Sequence, residues 1–364
     1  MSMRPSCLHS ARTKGINPTP QKQNQIQLYI QDNISHEMTV MNIEETSNTR
    51  QRSSKVSSSE IWYTIEGCMN NQRSDGRRCN DIRKYNVVSC TTNESQSSSF
   101  LLFSNASSRV TLGSCTSVDI ITSIKGEIVA DDKDLVEYAV DYLSTSSASD
   151  KRHCREMSQL LCALLGNPIA MDKLAVLKGE YYWKLHVDVS VVCDEGVGQS
   201  TILDTISTAI YSAFSSLQLP NVVAIKKSGP SKDEFMLQEE DSALLSPIWD
   251  ETLSLSFPII ITVCIIKDDA NKQALVLDST MEEEECSFMK ISYAINKQGV
   301  ICATRTHHMS TYDTAGGLHF TLLSKLMDIV QHGASFVFDV VLSGNQDSPF
   351  HFDKQFLNSQ FYLK

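Results

Sequence analysis

The clearest hydrophobic pattern in the chain is an alternation from Trp183 to Cys193. Trp183, Leu185, Val187, Val189, Val191 and Cys193 fall on one face, and Lys184, His186, Asp188 and Ser190 on the other. That period of two predicts a strand with one buried face. A short glycine-bearing connection, Glu195 to Gln199, then leads to Ile202, Ile206, Ala209, Ile210, Ala213, Phe214 and Leu217 at helical spacing, and Pro220 closes the segment. Thr201 followed by Asp204 reads as a capping-box start. The unit predicts a central strand and the helix that covers it.

Upstream, Ile61 to Gly67 predicts a short helix, and Tyr85 to Val88, Phe100 to Phe103, Arg109 to Leu112, Val118 to Ile124 and Leu135 to Tyr142 predict strands in an antiparallel meander. Met157, Leu160, Leu161, Leu164 and Leu165 form the apolar stripe of a helix from about Asp150 to Gly166. Downstream the pattern recurs in looser form. Strands are expected at Leu253 to Phe257, Ile259 to Ile266, Ala274 to Leu277, Phe288 to Ile295 and Val300 to Ala303, before a long amphipathic helix from Leu318 to about Leu342. Two successive halves of strand meander plus helix imply an α+β architecture of layered sheets and helices. The expected organisation is a disordered extension over 1–58, a first half over 59–227, an exposed acidic connection over 228–251, a second half over 252–342 and a tail over 343–364.

Composition narrows the function classes. No run of eighteen apolar residues is present, so no membrane-spanning helix is expected. The 11 cysteines are scattered singly, without CxxC pairs or zinc-ligand spacing, which points to buried thiols and no metal site. The net charge of −11 is uneven: residues 1–59 carry seven Lys/Arg against four Asp/Glu, or +3, leaving −14 for the remainder. An acidic body does not attract nucleic acid by its overall field. Arg4, Arg12, Lys14 and Lys22 with no acid in the first 31 residues share the charge bias of mitochondrial targeting segments. No amphipathic helix accompanies that bias, so a solvated extension is the preferred reading, with Met38 or Met41 as alternative starts.

Arg73-Ser74-Asp75-Gly76-Arg77 resembles the Arg-x-Asp-Gly-Arg opening of the RNase PH superfamily, and Ser108 to Gly113 resembles the strand that follows it. Tyr181 to Val189 and Ile202 to Ala209 are similar to that family's central strand and helix. In the second half, Ser231-Lys232-Asp233, the Pro258 to Cys264 strand and Leu277 to Ser287 resemble a eukaryotic exosome ring subunit of this family. The resemblance runs from about Ser59 to Leu342 and implies an RNase PH-like fold of two halves. Its implied partners are other RNase PH-like ring subunits, RNA-binding cap subunits and RNA in a threading channel, with residence in the nucleus, nucleolus and cytoplasm.

Active relatives cleave RNA from its 3′ end with inorganic phosphate, and this sequence departs from them at two places. The phosphate-holding Gly-Thr-Arg motif falls in Gly196 to Thr201, which has no basic residue. The second aspartate of the acidic pair falls on or beside Lys290. The resemblance therefore implies a non-catalytic member. Glu282 to Glu285 reads as a solvated acidic face, His307-His308 as a loop pair, and Arg73, Asp75, Gly76 and Arg77 as a structural motif. Lys151, Arg152 and Arg155 stand where related ring subunits carry pore-facing arginines and are the candidate RNA contacts. The alternatives are a phosphate-dependent exoribonuclease and an unrelated small-molecule-binding α+β protein. For the latter no cofactor motif, GxGxxG or P-loop, is present.

Overall fold

The computed structural model describes residues 56–91, 104–113, 118–130, 133–143, 148–225, 234–237, 245–268, 270, 272–308 and 320–343. The expected strand at Phe100 to Phe103, the C-terminal tail and nearly all of the N-terminal extension lie outside them. The first element is α1 (Ser58–Met69), started by a capping box in which Ser57 and Glu60 bond reciprocally.

Three antiparallel strands follow, β1 (Tyr85–Thr91), β2 (Ala106–Leu112) and β3 (Val118–Val129). The expected meander stops there, a correction to the sequence reading. The next strand, β4 (Val136–Tyr142), does not pair with β3. Helix α2 (Ala148–Leu165), the short α3 (Met171–Leu174) and the small strand β5 (Ala175–Leu177) carry the chain over to β6 (Tyr181–Asp194). That strand inserts between β3 and β4, antiparallel to the first and parallel to the second. A parallel pair needs a crossover, and α2 provides it. A list of local strand signals does not reveal this order.

The alternation from Leu185 to Val191 is real, with the odd positions buried. It ends at a bulge: Cys193 pairs with Asp119 but Val191 pairs with Ile120, so Val192 is the extra residue and Cys193 leaves the core face.

Helix α4 (Gln199–Ser215) is buried from Ser200 to Phe214. It does more than cover one sheet, because it lies between β1, β2, β3 and β6 on one side and the second sheet on the other. Short pairings follow: β7 (Gln218–Pro220) with β10 (Leu245–Pro247), and the hairpin of β8 (Val222–Ile225) with β9 (Glu234–Leu237). Part of the expected exposed connection is therefore paired strand. Leu253 to Phe257 is not a strand but lies in and just after helix α5 (Glu251–Ser256). Asp250 caps it by accepting from Leu253 N at 2.8 Å, and the fully buried pair Leu253 and Phe257 is spaced four apart, as a helix requires.

The second sheet has the order β12 (Gln273–Leu277), β11 (Pro258–Lys267), β13 (Ser287–Asn296), β14 (Ile301–His308), all antiparallel. Nearly every residue of β11 and β13 is buried, so both faces are covered. Ile260, Thr262 and Cys264 meet α4, while Ile261 meets Gly333 of the long helix α7 (Phe320–Ser343). Leu326, Val330, Ala334, Val337 and Phe338 form the buried stripe of α7. Tyr211 joins the layers, its ring lying edge-on to Trp249, Phe257 and Phe338 with centroids 5.1, 5.7 and 5.3 Å away. The result is a layered α+β fold of two strand-and-helix halves sharing one core.

Candidate functional site

A cleft of about 500 Å³ opens between α2, the start of α4 and the strands β13 and β14. Its apolar wall is Met157, Leu160 and Ala163 from α2 with Leu203 from α4. Its polar floor includes Ser200, Thr262, Lys290, Ser292, Arg305 and His307. Alternation along β13 aims Lys290 and Ser292 at the cleft, and α2 turns His153 and Glu156 toward it.

The start of α4 is the chemically decisive element, because helix N-termini present unpaired N–H groups and attract anions. Thr201 and Asp204 form no capping box, contrary to the sequence reading: the cap residue is Gly198, which has no side chain to cap with. Thr201 Oγ1 instead donates to Ser279 O at 3.0 Å. The anion is supplied internally. Ser200 N–H donates to Glu284 Oε2 at 3.3 Å, and Glu284 Oε1 accepts from Lys290 Nζ. A Cβ on Gly198 would overlap that carboxylate, so glycine is what admits it.

Glu284 comes from α6 (Met281–Glu285), whose capping box pairs Thr280 with Glu283. The Glu282 to Glu285 run is therefore not a solvated face. Glu283 and Glu284 are buried, at 1% and 5% exposure, and each has a cation. Glu283 receives a two-pronged bond from Arg73, Nε to Oε1 at 2.7 Å and Nη2 to Oε2 at 2.6 Å. The sequence carried the signal, since Thr-x-x-Glu is the capping-box spacing.

The Arg73 to Arg77 motif is tied into the same network. Gly76 takes φ +83, closing the turn. Arg77 bonds Asp75 and Asp278, while Arg83 reaches Asp278 through both its backbone N–H and its guanidinium. Asp278 itself sits at φ 49, a left-handed conformation held by these contacts, and its carbonyl accepts from Arg73 and Arg77. Three arginines are thus engaged by Asp75, Asp278 and Glu283. This is a structural clamp between the N-terminal loop and the second sheet.

His307 lies on β14, not in a loop, and is half-buried in the cleft, with Nε2 3.5 Å from Ser292 Oγ. Burial first, then the charges of Lys290 and Arg305, lowers its pKa to about 4, so the imidazole is neutral near pH 7. Ser292 Oγ is 2.8 Å from Thr262 Oγ1, which donates to Asp204 Oδ1 at 2.7 Å. Asp204 is fully enclosed, and burial pushes its pKa up to about 8. Sequence reasoning missed this chain because Asp204 also fits a helix-cap pattern.

Lys151, Arg152 and Arg155 are exposed on the first turns of α2, and the interleaved His153 and Glu156, not these three, line the cleft. Among the described residues no cluster of His, Cys, Asp and Glu could hold a metal ion, and no helix is long and apolar enough to cross a membrane.

Residues 87–220 match the RNase PH family, the 3′ exoribonuclease family, domain 1. The chain is similar to a putative exosome complex exonuclease RRP42 of Dictyostelium discoideum, 23% identical over 308 residues, covering 68% of this chain and 87% of that protein. It is also similar to the exosome complex component Rrp42 of Methanopyrus kandleri, 23% identical over 145 residues, 40% of this chain and 46% of that protein. Among solved structures, a chain of an archaeal exosome core aligns with TM-score 0.54 at 17% identity, over 78% of this chain and 96% of that one. A chain of the Archaeoglobus fulgidus exosome with RNA bound to the active site aligns with TM-score 0.54 at 15% identity, over 77% and 96%. The fold is RNase PH-like.

Proposed function

We propose that this chain, RNase PH-like in fold and matching that family over residues 87–220, is a non-catalytic ring subunit of an RNA exosome. In this reading it assembles with other RNase PH-like subunits and RNA-binding cap subunits and forms part of the wall of an RNA-threading channel. It serves 3′ to 5′ RNA processing and degradation, including rRNA maturation and mRNA turnover, in the nucleus, nucleolus and cytoplasm. Similarity to two exosome components supports the assembly. The exposed Lys151, Arg152 and Arg155 are the RNA contacts in this reading.

One observation carries the non-catalytic part. The anion-binding start of α4 is already filled by Glu284, and Lys290, the cation beside it, is committed to that carboxylate. An incoming phosphate would meet a negative charge where it needs donors. The neutral His307 supplies no compensating charge.

The test is phosphorolysis of a labelled oligoribonucleotide, with a catalytic relative as positive control, together with co-expression of the other ring subunits. The expected result is incorporation into a hetero-oligomer and no phosphate-dependent release of nucleoside diphosphates. Phosphate-dependent product abolished by Glu284→Gln would instead establish the enzyme reading. That reading is favoured only by the persistence of a buried carboxylate beside an open cleft.

A further inference from the structure

The outer face of α1 presents the two most exposed aromatic side chains among the described residues, Trp62 at 66% and Tyr63 at 64%. They are no accident of a frayed end, because α1 is capped and its inner face is fixed. Cys68 is buried, Ile61, Thr64 and Ile65 are half-buried, and Cys286 Sγ donates to Ile61 O at 4.0 Å from the end of α6. At 100° per residue, Ser59, Trp62, Tyr63 and Glu66 share the opposite, solvent-facing side. On the order of 250 Å² of aromatic surface is therefore left in water on one helix face.

The polar groups around these rings define what could cover them. Glu66 stands four residues after Trp62 and three after Tyr63, the spacings at which helix side chains touch. Its Oε1 accepts from Asn70 Nδ2 at 3.1 Å, which holds the carboxylate on this face. Residues 57–72 contain no Lys or Arg, and Glu60 and Glu285 add exposed negative charge on α1 and on the helix packed against it. Aromatic faces beside a carboxylate suit one chemical class, a guanidinium or ammonium group, which gains an ion pair and a cation–π contact together. The same charge disfavours RNA, whose phosphates would be repelled and find no Lys or Arg within the helix, Lys272 being held by Met69 O at 3.3 Å at its far C-terminal end.

We propose that Ser59, Trp62, Tyr63 and Glu66 form a docking surface for a neighbouring protein chain that lays an arginine or lysine, collared by apolar side chains, over the exposed rings beside Glu66. Trp and Tyr are the residue types that dominate interface energetics, and a carboxylate beside them gives the contact its selectivity. The inference rests on the ring-subunit reading, which supplies the neighbour, and extends it to a named surface.

The experiment is hydroxyl-radical footprinting of the full chain alone, with poly(U) RNA, and co-expressed with the other RNase PH-like ring subunits. Incorporation is measured for Trp62→Ala with Tyr63→Ala and for Glu66→Lys, and circular dichroism checks that each variant folds. The expected result is protection of Trp62 and Tyr63 in the assembly but not with RNA, and at least a tenfold loss of incorporation for both variants. Glu66→Lys alters one exposed side chain and keeps the test valid if the aromatic double variant misfolds. A ring that forms with both aromatics as reactive as in the free chain, or with Glu66→Lys incorporated like wild type, overturns the surface and leaves the ring reading standing. Protection by poly(U) overturns it in favour of RNA stacking. Failure of the wild type to assemble overturns the ring reading, and this surface with it.

Discussion

Replacing Asp204 by Asn should abolish a specific pH dependence of stability. Asp204 is enclosed in α4, its two oxygens accepting from Thr262 N at 2.8 Å and Thr262 Oγ1 at 2.7 Å, and burial pushes its pKa up to about 8. The folded value lies above the unfolded one, so the protonated carboxyl contributes stability that is complete below about pH 4 and is lost as pH rises toward 8. At about 1.4 kcal/mol per pKa unit, the whole shift is worth about 6 kcal/mol. Below pH 6.5 this slope is opposed by His307, whose lowered pKa gives the reverse sign: its contribution is present above 6.5 and lost as pH falls toward 4. From pH 6.5 to 8 His307 no longer opposes it and the Asp204 contribution falls by about 2 kcal/mol, while the Cys79 thiol, its pKa lowered by the hydrogen bond with Cys68, acts in the opposite sense only toward its unfolded value near 9. For a folded unit larger than 250 residues that loss corresponds to a fall in Tm of roughly 3–4 °C. Urea unfolding followed by circular dichroism at constant ionic strength and stepped pH measures it. Asp204→Asn, which cannot ionise, should be flat across that window. A wild type that gains stability from pH 6.5 to 8, or an Asn variant with the wild-type slope, would refute the reasoning.

Other consequences follow from the same network. Arg73→Ala leaves Glu283 buried without its cation and should cost ~3–5 kcal/mol in chemical denaturation; Arg73→Lys should also destabilise, since an ammonium cannot reproduce the two-pronged bond. Gly198→Ala forces the Glu284 carboxylate away from the start of α4 and should cost ~1–3 kcal/mol, with no such loss when Glu284 is already Ala. Glu284→Ala alone leaves Lys290 and the Ser200 N–H facing an empty anion position, so inorganic phosphate should raise the Tm of this variant and leave that of the wild type unmoved.

The elements that could be read from sequence are those whose pattern is local. The alternation of Leu185 to Val191 and the helical spacing of Ile202 to Phe214 both survive in the fold, although the helix is buried on every side and its apolar spacing marked only part of that burial. What was not legible depends on partners far along the chain. Nothing near β4 says that β6, about forty residues later, will insert beside it in parallel. Leu253, Leu255 and Phe257 satisfy an alternating pattern as well as a helical one, and only the Asp250 cap decides between them.

The candidate site shows the same limit in its chemistry. That residues 196–201 contain no Lys or Arg is legible in the sequence, and the structure adds that a carboxylate, Glu284, lies at the start of α4. Glu284 can enter the start of α4 only because Gly198 has no side chain, because Lys290 neutralises it, and because the Arg73–Glu283 clamp fixes α6 at that point. Each of these residues taken alone has an ordinary reading: a loop glycine, a strand lysine, a surface glutamate, an arginine turn. Their joint meaning depends on α1 to β1 folding back onto the second sheet across more than two hundred residues, a long-range pairing that no local pattern encodes. A change at Lys290 does not reopen the anion position, because Glu284 stays in it. Lys290→Asp, which would set a second carboxylate against Glu284, should therefore yield an unstable protein and no phosphorolysis.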